Sequence, residues 1–103
     1  MSQIPQPEQN QIDDWQSQWN ATKAEYDGQI AFLQKTFDDK LQELIDLQKD
    51  TTNWLQMPMQ ERIDLRLEVA RVRQEIQQIK DEKELARVEF MGANPQAEHY
   101  VQF

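Results

Sequence analysis

The chain has 103 residues, with 19 acidic and 11 basic side chains and a formal net charge of −8, so it is at most one small domain, and its 38% hydrophobic content is lean for an isolated globular core. Two glycines, four prolines and abundant Gln, Glu, Lys, Leu and Arg argue against a sheet and for an all-α fold. No cysteine is present, which excludes disulfides and thiolate chemistry, and no apolar run approaches the roughly 18–20 residues that cross a bilayer.

Residues 1–10 are Gln-rich and carry Pro5 and Pro7, a composition that buries little and predicts a disordered arm. This segment lacks the basic and apolar regions of a secretory signal, so a soluble, cytoplasmic protein is expected. A first helix is predicted over 11–49, with Asn10 as its cap and Asp13 and Asp14 near the positive end of its dipole. Trp19, Tyr26, Ile30, Leu33, Phe37, Leu41 and Leu44 recur along it at spacings of three and four, and Trp15 and Ile45 widen that stripe. Gly28 lies inside the helix and marks either a bend or a close packing contact. The connection 50–58, DTTNWLQMP, weakens helix through two threonines and Asn53 and breaks it at Pro58. A second helix is predicted over 59–91, opened by Pro58 and stopped by Gly92, with residues 92–103 as a tail.

The second helix carries a heptad whose flanks are sorted by charge. The first core position (a) of each heptad holds Arg62, Val69, Ile76, Lys83 and Phe90, and the second (d) holds Leu65, Val72, Ile79 and Ala86. Glu61, Glu68, Glu75, Glu82 and Glu89 precede this seam, and Arg66, Arg73, Lys80 and Arg87 follow it. In a parallel coiled coil the pairs Glu61 to Arg66, Glu68 to Arg73, Glu75 to Lys80 and Glu82 to Arg87 all match between chains, whereas an antiparallel homodimer sets like charges together. The expectation is a parallel two-stranded homodimer whose seam is Leu65, Val69, Val72, Ile76, Ile79, Lys83, Ala86 and Phe90. Burial of a Leu, Val or Ile is worth about 1.5–3 kcal/mol against about 0–1 kcal/mol for a solvated ion pair, so the seam supplies affinity and the charges supply direction.

Two long helices of similar length suit a hairpin. With its turn near Asn53, Phe37, Leu41 and Leu44 are expected opposite Ala70, Leu67 and Ile63, the second apolar face of helix two, with Trp19 near Val88 and Leu85. Ile30 and Leu33 then confront Gln74, Gln77 and Gln78, a poor match that leaves part of helix one for another protomer or another protein. The alternative architecture is two in-line coiled-coil segments hinged at Pro58.

Chemistry is sparse. His99 is the sole histidine, and Asp13–Asp14 and Asp38–Asp39 point in divergent directions on a helix, so no metal set, acid/base couple, phosphate loop or nucleophile constellation is formed. No enzymatic activity, cofactor or small-molecule substrate is expected. Residues 1–53 hold ten acids and four lysines, net −6, and the basic row of helix two is matched by acids, so neither nucleic acid nor an anionic membrane is an expected partner. Trp15 and Trp19 read as core, and Trp54 as a plug for the end of the hairpin. Tyr26, Ile30, Leu33 and Phe37 are the candidate partner-binding residues. Val101 and Phe103 join them as a hydrophobic terminus of the kind that carboxylate-recognising modules capture, unless the tail folds back and buries its aromatic residues. These readings converge on a noncatalytic homodimeric coiled-coil protein acting as adaptor, scaffold or assembly factor. The alternatives are a purely architectural subunit and an acidic regulator of a basic protein.

Overall fold

A computed structural model describes residues 6–103, and the predicted arm therefore lies partly outside the described residues. All regular structure among them is helical: α1 (Gln9–Lys49), α2 (Thr51–Gln56), α3 (Met59–Ala93) and a closing 3-10 turn (Pro95–His99). The long helices run antiparallel. Trp19 meets Phe90, Asp27 meets Lys83 and Lys40 meets Glu68, so the partner number falls as the first rises. The result is a rod of 78 × 18 × 15 Å, a hairpin rather than two segments laid in line.

Local chemistry sets the helix ends. α1 starts one residue before Asn10, and the backbone carbonyl of Glu8 accepts from the N–H groups of Gln11 and Ile12 at 3.0 and 3.1 Å, with no side-chain cap. The connection expected to interrupt helix instead contains the short α2. Asp50 makes it possible, because its carboxylate accepts from the Asn53 backbone N–H at 3.2 Å and from Asn53 Nδ2 at 2.6 Å. Pro58 then opens α3 from the capping position, its carbonyl accepting from the Arg62 N–H at 3.1 Å.

Gly92 does not stop α3, which runs on to Ala93. Asn94 ends it: its backbone N–H and its Nδ2 both donate to the Phe90 carbonyl, at 3.0 and 3.1 Å. The Asn94 Oδ1 accepts in turn from Trp15 Nε1 at 3.1 Å, which ties the start of α1 to the end of α3. Beyond it the 3-10 turn reverses the chain and lays the last residues across the open end of the hairpin.

That end holds the largest core. Trp15, Trp19, Ala97 and Val101 are buried, packed with Ile12, Ala86, Phe90 and Phe103. The Trp19 ring lies 5.2 Å from Phe103 and 6.0 Å from Phe90, and the two phenylalanines are 6.1 Å apart at 72°, within the range where tilted and edge-on rings attract. Gln16 fixes the tail further, donating from Nε2 to the Gln102 carbonyl at 3.1 Å and accepting the Gln102 N–H at 2.9 Å. At the other end Trp54 is buried as expected, with the Arg66 guanidinium 5.4 Å above its ring.

The face of α3 that meets α1 differs from the one expected. Val72 and Ile76 are buried, and Leu65, Val69, Ile79, Lys83, Ala86 and Phe90 are partly buried, all within one chain. Ile63, Leu67, Leu85 and Val88 instead face solvent, with Leu67 53% and Leu85 57% exposed, and Ala70 is exposed as well. The heptad seam is the wider apolar stripe, and α1 reaches it through a short connection, so the covalently nearest helix takes it. Asp27 receives Lys83 of that seam, with Lys83 Nζ 2.6 Å from its Oδ1.

Trp19→Ala should lower stability by about 3–5 kcal/mol in a thermal or urea melt, as removal of a fully enclosed aromatic does. A β-carbon built at Gly28 would touch nothing within 4 Å and its φ is not positive, so Gly28 is not a close contact point. Gly28→Ala should therefore raise stability by about 0.8–1 kcal/mol in the same melt.

Candidate interaction surface

Two packed helices leave both sides of their junction open. Between Trp19 and Leu44 no residue of α1 is fully buried, and Tyr26, Ile30, Leu33 and Phe37 are each partly buried. Of these four candidates, Phe37 faces α3 across the groove between the helices, whereas Leu33 lines with Phe32 a hollow formed by α1 alone. The outward-facing Phe32, 71% exposed, was not among them; it falls outside the three-and-four stripe that guided the choice.

On one side of the junction runs a groove of about 840 Å³. Phe37, Leu41 and Leu44 of α1 and Val69 and Ala70 of α3 form its floor, and Arg66, Arg73, Gln74 and Gln77 its rim. A second hollow continues it past Gln34 and Ile76 to Lys80. Arg66, Arg73 and Lys80 recur at heptad spacing on this edge, and no carboxylate lies within ion-pair distance of any of them among the described residues. Nearer the turn, on the α1–α2 surface, Asp39, Glu43, Asp46 and Asp50 surround Leu47, Trp54 and Met57.

The rows expected to pair between chains have these surroundings within one. Glu68 lies 3.7 Å from Lys40. Arg87 forks onto Glu84, its Nε 3.1 and 3.0 Å from the two carboxylate oxygens, while its guanidinium stands 5.9 Å from the Phe103 ring centre. Glu61, Glu75 and Glu82 are exposed without an ion-pair partner among the described residues. Val101 is buried and Phe103 packs into the aromatic cluster, so in this conformation neither is offered to a partner. The apolar side chains of a lean protein find cover where it exists, and the open end of the hairpin supplies it.

A second pattern escaped the heptad reading. Gln9, Gln34, Gln42, Gln60 and Gln77 each donate from Nε2 to the Oδ1 of an Asp four residues on, at 2.8–3.1 Å. Such pairs support a helix by about 0.2–0.5 kcal/mol each. A search for Gln and Asp at that spacing would have found them, whereas a search for opposite charges does not.

Among the described residues no group of three or more His, Cys, Asp or Glu is placed to hold a metal, and no helix is long and apolar enough to cross a membrane. Comparison with protein families, curated proteins and solved structures found no match.

The Arg87 guanidinium, hydrogen-bonded to Glu84, holds that carboxyl below the ordinary carboxylate range against the opposing effect of partial desolvation. A lowered folded-state pKa stabilises above the ordinary carboxylate value, and the contribution is lost as pH falls through the lowered one. Arg87→Gln should bring the Glu84 titration, followed by carboxyl NMR, back up to the ordinary range; an unchanged midpoint would show that the fork does not persist in solution.

Proposed function

We propose that this chain is a noncatalytic interaction protein, an adaptor, scaffold or assembly factor, that receives another protein along the open side of its α1–α3 hairpin. The observation that supports this reading is the half-covered apolar edge of α1, from Tyr26 to Phe37, which runs into the open groove of Phe37, Leu41 and Leu44. Trp54 and the Trp15–Trp19 cluster bury the large aromatic residues at the two ends of the rod, and the Phe37–Leu44 groove lies between them. Aromatic and aliphatic anchors set between polar rims are where binding energy concentrates in protein interfaces.

The test is a pair of substitutions, Ile30→Asp and Phe37→Asp, introduced singly into the tagged chain. Each should retain the helical circular-dichroism spectrum while proteins cross-linked to the wild-type chain in its own cells disappear from the mutant. Unchanged cross-linking at both positions would end the reading.

A parallel homodimer is the second reading. It is favoured by the charge rows, since Glu61, Glu75 and Glu82 on one edge of α3 and Arg73 and Lys80 on the other are ion-paired to nothing among the described residues, yet stand in register for a second α3. In this dimer α1 leaves the seam and packs outside or on the other protomer. Light scattering should then report two chains for the wild type. Glu68→Lys, Glu75→Lys and Glu82→Lys together should give one chain alone, and two when mixed with a chain carrying Glu at 66, 73, 80 and 87. A monomer at every concentration leaves the closed hairpin as the working form.

A further inference from the structure

Resting on the protein-binding reading, we propose that the groove between Phe37–Leu44 and Arg66–Lys80 is a docking site for an amphipathic helix with acidic flanks, supplied by another protein. The sign of the charge carries this inference. In a chain with 19 acids and 11 bases, no carboxylate lines either section of the groove, and every charged group on its rim is a cation: Arg66, Arg73 and Lys80. The hollow on the α1–α2 surface has four carboxylates, so the groove is not neutral by default.

The geometry decides what kind of segment fits. All backbone donors and acceptors of the lining residues lie within helices, so there is no strand edge for an extended peptide to join, and the occupant must satisfy its own backbone. A helix does so. The floor repeats once per turn through Phe37, Leu41 and Leu44, which matches apolar side chains at the third and fourth places of a facing helix. Arg66, Arg73 and Lys80 are separated by two helical turns each, about 10.5 Å, so carboxylates at heptad spacing along the occupant meet all three. The run from Arg66 to Lys80 is about 21 Å, room for roughly four turns. Gln74 provides a neutral hydrogen-bonding group between the cations, and Gln77, whose Nε2 donates to Asp81, an amide oxygen. An apolar floor distinguishes this site from a phosphate-tracking surface, which needs cations and stacking faces but no aliphatic trough.

The experiment uses the full chain and two fluorescein-labelled helical peptides of about three heptads. They share a leucine stripe and differ in flank, one carrying Glu and the other Lys, and both are used at concentrations where they are monomeric. Anisotropy titration should show binding of the Glu peptide, weakened by salt as screened charge requires, and at least about tenfold weaker binding of the Lys peptide. Arg73→Glu with Lys80→Glu should invert that preference. Both positions are exposed and the variant's helical spectrum should match the wild type, so the swap reads recognition rather than folding. Equal affinity for the two peptides, no binding of either, or a preference untouched by the swap would overturn the acidic-helix assignment. So would two further results: a self-dimer broken by the same swap, which would identify a second copy as the occupant, or single-stranded RNA that displaces the Glu peptide. Cross-linked proteins lost on Ile30→Asp or Phe37→Asp but kept on the charge swap would leave the protein-binding reading standing while the groove assignment falls.

Discussion

Everything in this rod depends on the aromatic closure of its open end. Two helices joined at one end need an attachment at the other to stay in register, and here rings and one hydrogen bond supply it. Trp19, Phe90 and Phe103 meet ring on ring, while Trp15 reaches Asn94 across the pair. Asn94 therefore does two things at once, ending α3 through the Phe90 carbonyl and fixing its distance from α1. One cost is visible in the cluster. Trp19 is 1% exposed and its Nε1 has no partner among the described residues, an arrangement that sets about 1–3 kcal/mol of lost hydration against the packing of its ring.

With the ends fixed, one face of α3 becomes a contested resource. Its heptad stripe can be covered by α1 of the same chain or by α3 of another. The tether favours the first, because a short connection presents α1 at an effective concentration on the order of millimolar before any contact forms. Burial of Val72 and Ile76 and the Asp27–Lys83 bridge then reward that choice. Nothing on α1 answers most of the charges that flank the stripe, so occupation in cis satisfies the apolar residues and leaves the ionic pattern unspent. The two readings of function differ on whether that pattern is used by a second copy or left for a different helix.

Much of this architecture was legible in the chain. The presence of two long helices, the break before Pro58 and the burial of Trp15, Trp19 and Trp54 follow from periodicity and side-chain size, whereas the caps do not: α1 begins at Gln9 without Asn10 as cap, and Asn94 rather than Gly92 ends α3. The face used by α3 did not follow, because charge sorting at its flanks marks the stripe for a second copy, while the stripe itself is equally open to α1. A local clue existed in Asp27, an acid one residue from Tyr26 on the stripe side of α1 and complementary to Lys83. The cationic groove was hidden for a different reason. Its residues come from two helices, and only the antiparallel register brings Leu41 beside Val69 and Arg66. The tail illustrates the weakness of short motifs: a hydrophobic terminus looks the same whether it is bound by another protein or by its own Trp19.

The rows of glutamine and aspartate along both long helices support each helix with bonds that involve only one charge. An amide donating to a carboxylate is a short, directional bond between neighbours on one turn, and dissolved ions scarcely weaken it compared with a pair of opposite charges held across a gap. Rising ionic strength therefore screens the cations Arg66, Arg73 and Lys80 more than it weakens these bonds within the helices.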